Sequence, residues 1–315
     1  MNEREKIQNL QKTATNREVS ASKFQEVIEM KKVLAMVLAL LMLLGGAVAE
    51  EQAIENAIAL ENGAAVEVDL DGDGVMESVT LTRVMLNEYD EEAVVTVKNA
   101  SGEGEWHSGM LYGAQAWVTD IDSNGLKEIF VSGDEMSDDY ITYCLNYVGA
   151  MLEPLLFADV NRGENTGEYY PRGYGMVTAI NGSEITLMGS QDMLGTWMAE
   201  RRFSLIDGML EIVDDGYWVC STDMDDPEIW EYRSLKPVQA IPVTFIVDGV
   251  ETAGELQSGE RIIPTHFDKV ADLFFVTEDG REGYLTAEPD AEAGWGWQIN
   301  GISEHELFEM VPYAD

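Results

Sequence analysis

Positive charge is scarce in this 315-residue chain, which has 19 Lys and Arg against 59 Asp and Glu and a formal net charge of −40. Such an excess of negative charge repels nucleic acid and anionic membrane surfaces, which excludes both as partners. Hydrophobic residues still make up 45% of the chain. It therefore has the apolar content to build a core, and it is not a disordered acidic tail.

Cysteine, histidine and catalytic motifs are also few. The two cysteines, Cys144 and Cys220, lie in apolar, strand-like segments, where a disulfide and two buried thiols both remain open. The three histidines are scattered, and Glu309 stands where a zinc protease that began at His305 would need its second histidine. The sequence contains no Gly-x-Ser-x-Gly, phosphate loop or Cys-x-x-Cys. We therefore predict that the protein is not an enzyme; the many carboxylates leave an extracellular glycoside-type hydrolase as the alternative.

The one long apolar run, residues 33–44, is too short to span a bilayer as a helix. Lys31 and Lys32 precede it, and a small-residue segment that ends at Ala49 follows, which is the pattern of a secretory signal. We predict a non-native extension at 1–29, a signal peptide at 30–49 and a secreted mature chain from Glu50; an uncleaved anchor is the alternative. Residues 50–315 hold 12 Lys and Arg and 54 Asp and Glu, a net charge of −42.

Strand and hairpin signals dominate the mature chain. Four turn dipeptides separate alternating apolar runs: Asn181-Gly182, Asp207-Gly208, Asp248-Gly249 and Asp279-Gly280. They predict an antiparallel all-β protein, with short helices only at 51–60 and 304–310. A boundary at Lys236-Pro237 would divide it into a β-repeat domain, 50–235, and a small β-barrel domain, 236–315.

Two acidic loops, 51 residues apart, carry the clearest chemical signal. They read Asp69-Leu70-Asp71-Gly72-Asp73-Gly74-Val75-Met76-Glu77 and Asp120-Ile121-Asp122-Ser123-Asn124-Gly125-Leu126-Lys127-Glu128. Oxygen side chains at positions 1, 3, 5 and 9, with a glycine at position 6, suit calcium, which prefers six to eight oxygen ligands. The predicted ligands include the backbone carbonyl at position 7, and they are Asp69, Asp71, Asp73, Val75, Glu77, Asp120, Asp122, Asn124, Leu126 and Glu128. An EF-hand is rejected because position 12 is Thr80 or Val131 and strands flank both loops.

These loops and their flanking strands resemble the FG-GAP/VCBS repeats, which are extracellular calcium-loop modules that build β-propeller blades. The resemblance implies calcium as a structural cofactor and a propeller-like sheet. The family usually ends the loop with aspartate, whereas Glu77 and Glu128 stand here, and Asn124 replaces the third aspartate of the second copy. Since we find no third copy, a divergent repeat sheet is the alternative to a propeller. Residues 236–315 resemble a small SH3-like barrel in size and strand rhythm.

Together these features predict an exported, acidic, calcium-stabilised binding or adhesion protein of the bacterial cell exterior. Its expected partner is a glycan or a protein at the cell surface, and the expected state is a monomer. Trp295-Gly296-Trp297 and Tyr169-Tyr170 would suit a sugar-stacking platform, although buried core aromatics are the more frequent explanation of such residues.

Overall fold

The computed structural model describes residues 54, 56–136, 139–158, 169–213, 218–220, 224, 226–268, 271–291 and 295–313. The predicted extension 1–29 and signal peptide 30–49 lie outside these residues. Strands make up 61% of the structure and helices 4%. The sheets are antiparallel except where residues 156–157 pair in parallel with residues 209–210, and one sheet is curled into a half-barrel. The predicted all-β class is confirmed. Within the described ranges, no helix is long and apolar enough to cross a membrane.

The first sheet is a four-stranded meander in which each strand pairs with the next along the chain. Its strands are β2 (Ala65–Val68), β3 (Glu77–Met85), β4 (Glu91–Asn99) and β5 (Gly102–Met110). On β3, Val79 and Leu81 are buried while Ser78 and Thr80 between them are half-buried. This two-residue period directs one face of the sheet into the core.

The second sheet has six strands: β1 (Ile58–Leu60), β6 (Tyr112–Thr119), β7 (Glu128–Asp134), β8 (Tyr140–Val148), β9 (Met151–Pro154) and β12 (Gly173–Tyr174). Their order is β1-β6-β7-β8-β12, and β9 also pairs with β8. Strand β7 is buried along almost its whole length. Buried aliphatic residues of both sheets, among them Leu81, Val95, Val118 and Ile129, form a single hydrophobic cluster.

The helix predicted at 51–60 is wrong for its described end, because Ile58–Leu60 is strand β1. Ile58 pairs with Val118 and Leu60 with Ala116 on β6. Alanine, leucine and glutamate give this segment a helical propensity, but pairing with a neighbouring strand overrides a propensity of a few tenths of a kcal/mol per residue.

The third sheet has twelve strands. They are β10 (Leu156–Ala158), β11 (Tyr169–Tyr170), β13 (Met176–Asn181), β14 (Glu184–Asp192), β15 (Thr196–Ile206), β16 (Met209–Ile212), β17 (Trp218–Cys220), β18 (Ile241–Val247), β19 (Val250–Leu256), β20 (Ile262–Phe267), β21 (Asp272–Thr277) and β22 (Glu282–Thr286). All four predicted hairpins form in this sheet. Three of the predicted dipeptides lie between the paired strands, whereas Asn181 is the last residue of β13 and pairs with Glu184, so the turn of that hairpin is Gly182-Ser183. At Asp207-Gly208 and Asp248-Gly249 both residues have positive φ, as a primed hairpin turn requires.

A three-stranded sheet and two short helices complete the described structure. The strands are β23 (Glu288–Pro289), β24 (Trp297–Ile299) and β25 (Ile302–Ser303), and the helices are α1 (Pro227–Tyr232) and α2 (Glu304–Leu307). Helix α1 begins with the Asp226 carboxylate accepting a hydrogen bond from the Glu228 amide, a normal N-cap. Helix α2 occupies the first turn of the helix predicted at 304–310.

Strand pairing continues across the predicted boundary at Lys236-Pro237. Val219 of β17 pairs with His266 of β20, and the Leu235 and Ile262 backbones exchange two hydrogen bonds of 2.9 Å. The described residues all belong to one compact unit that begins at Ile54. The division into 50–235 and 236–315 stays a prediction.

Candidate metal centre

The two acidic loops connect two hairpins that have the same register. In the first, Val68 at the end of β2 pairs with Glu77 at the start of β3. In the second, Thr119 at the end of β6 pairs with Glu128 at the start of β7. Each pair lies 51 residues from its counterpart, so the sequence repeat is also a repeat of strand, loop and strand.

The same hydrogen bonds hold both loops. The position-9 glutamate accepts from the amide at position 2: Leu70 N to Glu77 Oε2 at 2.9 Å and Ile121 N to Glu128 Oε2 at 3.1 Å. The position-1 aspartate accepts from the glycine amide at position 6, at 3.0 Å in both copies. The position-5 side chain accepts from the amide at position 7, at 2.7 Å in both copies. These bonds turn the loop around its own acidic side chains, as Asp and Asn do in turns.

The backbone also follows the same path in both copies. Positions 4 and 6 have positive φ: 71° at Gly72 and 84° at Gly74 in the first loop, 58° at Ser123 and 93° at Gly125 in the second. Glycine adopts this conformation without steric strain, whereas Ser123 adopts it at some cost. The glycine at position 6, predicted from the sequence to permit the turn, does so in each loop.

The first loop gathers three carboxylates at one point. One oxygen from each of Asp69, Asp71 and Glu77 lies within 4.8 Å of the others. Glu77 is buried, with 1% of its surface exposed. Oδ1 of Asp69 is also buried, and no group among the described residues donates a hydrogen bond to it. A buried carboxylate oxygen without a donor is unfavourable by about 1–3 kcal/mol, and a cation at this point would remove that penalty.

The other two predicted ligands of this loop lie outside that group. Asp73 is exposed, and its Oδ1 accepts the Val75 amide. Val75 is exposed as well. The structure therefore brings together three of the five predicted residues, all of them anionic oxygen donors of the kind that calcium and magnesium prefer.

In the second loop, a side-chain hydrogen bond already occupies one of the carboxylate oxygens. Asn124 Nδ2 donates to Asp122 Oδ2 at 2.9 Å, so the amide occupies an oxygen that a cation would use. Asp120, Asp122 and Glu128 are all described, and they do not converge as their counterparts do. Burial raises the pKa of Glu128 to about 7; the charges of Asp122 and Asp120 add to the increase, and the hydrogen bond from Ile121 N opposes it.

The two loops touch, which the sequence did not predict. Lys127 of the second loop donates from its amide to Leu70 O at 2.9 Å and from Nζ to Asp69 O at 3.1 Å. A Cβ on Gly72 would lie 3.2 Å from Gly125 O. Lys127 thus holds the backbone of a candidate ligand 58 residues earlier in the chain. No spacing rule in the sequence points to it.

The two cysteines and the Trp295-Gly296-Trp297 segment lie outside the acidic loops. Cys144 and Cys220 are free thiols, and burial raises the pKa of both, so neither is a reactive thiolate at neutral pH. Trp295 is exposed and lies 5.2 Å from the His305 ring, whereas Trp297 is half-buried and donates from Nε1 to Asp192 O.

No protein-family model matches the chain, and no curated protein matches it.

Proposed function

We propose that this protein is an exported, calcium-stabilised, non-catalytic binding protein of the bacterial cell exterior. The observation that carries the calcium assignment is the buried Oδ1 of Asp69, which has no donor among the described residues and lies in the loop where Asp71 and Glu77 converge. A hard cation with six to eight oxygen ligands would supply the missing positive charge.

The proposed ligands in the first loop are the side chains of Asp69, Asp71, Asp73 and Glu77 and the carbonyl of Val75. In the second loop they are the side chains of Asp120, Asp122, Asn124 and Glu128 and the carbonyl of Leu126. Their equivalence is supported by the shared register and hydrogen bonds of the two hairpins. Because Asn124 already bonds to Asp122, the second site would bind more weakly than the first.

The charge of the chain supports a structural role for the cation. A net charge of −40 opposes compaction, and bound divalent cations would offset part of this repulsion. Two consecutive antiparallel meanders, β2 to β5 and β6 to β9, each begin with an acidic-loop hairpin. The first meander is a complete four-stranded sheet, as a propeller blade is, whereas the second belongs to a six-stranded sheet; the first therefore supports the proposed likeness to FG-GAP/VCBS repeats.

The binding role is supported by composition rather than by an identified ligand. The chain has none of the nucleophile, zinc or phosphate motifs of common enzymes, and its signal-like segment 30–49 fits export. The proposed partner is a glycan or a protein at the cell surface, and the protein is proposed to act as a monomer.

Thermal melts of the purified protein in EDTA and in millimolar calcium test the calcium assignment. A site filled at 100 times its dissociation constant adds about 2.7 kcal/mol, so the melting temperature should rise by several degrees in calcium. Sodium chloride at the same ionic strength controls for general ionic effects. Equal melting temperatures in EDTA and calcium would remove the assignment. A glycan-array and cell-wall binding screen, with and without EDTA, tests the binding role.

A further inference from the structure

A second feature of the molecule lies away from the acidic loops. At the other end of the β6–β7 hairpin, a cavity of about 290 Å³ opens between the second sheet and the start of β13. Tyr112, Trp117, Tyr140 and Met176 line it, and Asp134 is the one charged residue on its wall. A cavity of this volume, with a mixed wall of aromatic, apolar and polar residues and a single charged group, is at the small end of ligand-binding sites.

Strand register places Asp134 between two tyrosines. Tyr112 of β6 pairs with Asp134 of β7, and Asp134 pairs with Tyr140 of β8. Directly opposed residues of antiparallel strands project from the same face, with Cβ atoms about 5 Å apart. The register of β6 shifts between Tyr112 and Gln115, and such an irregularity redirects side chains next to binding sites. The carboxylate therefore lies between two aromatic rings on one face of the sheet.

One oxygen of Asp134 has no hydrogen-bond partner among the described residues. Its Oδ1 is buried and accepts no hydrogen bond from them, and no Lys, Arg or His is among the described residues that line the cavity. The nearest polar contacts of the wall add further negative charge: Tyr112 Oη donates to Asp90 Oδ1 at 3.1 Å, and Gly113 N donates to Glu91 Oε1 at 2.9 Å. Desolvation, the hydrogen bond to Asp90 and the charges of Asp90 and Asp134 raise the pKa of Tyr112.

We propose that this cavity binds an organic cation, a primary ammonium group on a short alkyl chain, held by Asp134 between Tyr112 and Tyr140. The buried oxygen distinguishes this class from a neutral sugar. A sugar hydroxyl would have to reach a covered atom, whereas a positive charge compensates a carboxylate over several ångströms. Aromatic faces add attraction for a cation, and Met176 and Trp117 accommodate the alkyl chain.

The proposal deepens the binding role proposed above, because it assigns a site and a ligand class to it, and it is independent of the calcium loops. The test is calorimetric titration of the purified protein with cadaverine (1,5-diaminopentane), in saturating calcium and about 0.15 M salt to fill the loops and screen exposed carboxylates. We expect saturable binding near one equivalent. We expect 1,5-pentanediol, the neutral counterpart, to bind at least about tenfold more weakly, since a hydrogen bond to a charged group contributes this much or more. D-glucose is titrated in parallel.

Three variants locate the site. Asp134→Asn, close to isosteric, should weaken cadaverine binding at least about tenfold. Tyr112→Leu removes an aromatic face and should weaken it about twofold to fivefold. Asp139→Asn removes an exposed carboxylate from the same β7–β8 hairpin and should leave the affinity unchanged. Thermal melts confirm that each variant is folded. If Asp134→Asn does not fold, the cadaverine affinity of Tyr112→Leu decides whether the site is the cavity.

Three outcomes would overturn the proposal. They are equal binding of the diol, binding of glucose in place of cadaverine, and an equal loss of cadaverine affinity in Asp134→Asn and Asp139→Asn. Binding of both cadaverine and Nα-acetyl-lysinamide would identify a lysine side chain as the natural group, and binding of cadaverine alone would identify a free diamine. Failure of the glycan and cell-wall screen with cadaverine binding intact would refute the proposed surface partner and leave the cavity assignment standing.

Discussion

Glu77 and Glu128 each have two possible roles, one structural and one in metal binding. Each is buried, and its carboxylate accepts a hydrogen bond from the amide of the second residue of its own loop. Each therefore closes the loop even when no cation is bound. In the first copy the same carboxylate also faces Asp69 and Asp71. Substitutions that keep the acceptor and remove the charge can separate these two roles.

Glu77→Gln and Glu77→Ala form such a pair. Glutamine can still accept the Leu70 amide, so in EDTA we expect Glu77→Gln to be at least as stable as the wild type, because a charge beside two other carboxylates is gone. Glu77→Ala leaves that amide without its acceptor and should be about 1–3 kcal/mol less stable than Glu77→Gln. In calcium, both variants should lose most of the cation-dependent gain. Urea denaturation in the two conditions measures this, and a Glu77→Gln protein that keeps the full gain would remove Glu77 from the ligand set.

Asp71→Ala and Asp122→Ala compare the two loops directly. Asp71 belongs to the convergent group, whereas Asp122 already bonds to Asn124. We expect Asp71→Ala to remove one equivalent of tightly bound calcium. We expect Asp122→Ala to remove one equivalent of more weakly bound calcium. Glu67→Gln, an exposed carboxylate two residues before the first loop, serves as the control and should keep both. Calorimetric titration gives the stoichiometry; unchanged binding in Asp122→Ala would make the second loop a turn without a metal.

The acidic loops could be predicted at the residue scale because all their candidate ligands lie within nine consecutive residues. Spacing alone places such side chains together. The contact of Lys127 with Asp69 and the pairing of Tyr112, Asp134 and Tyr140 could not be predicted, since they depend on which strands become neighbours. Local sequence specifies a turn, and only the completed sheet specifies what lies across from it.

At the scale of elements, the hairpin is the repeating unit, and its turns require particular backbone conformations. The dipeptides Asp207-Gly208 and Asp248-Gly249 predicted their hairpins because few residues besides Gly, Asn and Asp adopt positive φ readily. The segment 51–60 has no comparable signal. Residues 58–60 at its described end form a strand because they pair with β6. That pairing does not depend on a signal within the segment.

Gly125→Ala tests the importance of that backbone conformation in the second loop. Gly125 has φ 93°, and a Cβ there would meet no atom within 4 Å, so any effect comes from the backbone rather than from a clash. We expect Gly125→Ala to lower the free energy of unfolding by about 1 kcal/mol. Left-handed backbone strain destabilises the folded state, and the lower entropy of the unfolded chain that alanine causes offsets part of this cost. Gly102→Ala is the matched control, because its Cβ would also meet open space and its φ is not in the left-handed region. Equal stability of the two variants in urea would show that the loop tolerates another backbone path.

At the scale of the whole molecule, strands late in the chain pair and pack with strands much earlier in it. Residues from both sides of position 236, including Trp197, Phe203, Phe267 and Phe275, share one hydrophobic cluster. The sequence signals for strands and hairpins extend only over neighbouring residues, which is why they predicted the all-β class and left this long-range pairing open. The proposed boundary is therefore the feature of the sequence prediction that most needs an experiment.

A fragment of residues 236–315 supplies that experiment. It retains β18 to β22, in the order β20-β21-β22-β18-β19, and its own buried residues such as Leu256 and Leu285. It loses the β17 partner of β20, the Leu235–Ile262 bridge and the hydrogen bond from Thr196 N to Pro312 O. A chain of about 80 residues has a stability of only a few kcal/mol to lose. We therefore expect the isolated fragment to unfold without cooperativity and to give a poorly dispersed amide NMR spectrum in EDTA, whereas the intact chain gives a dispersed β-type spectrum. A fragment extended back to residue 192 restores the three lost contacts and should recover dispersion. If 236–315 alone gives dispersed β-type shifts, it folds as an independent domain, and the boundary predicted from the sequence is real.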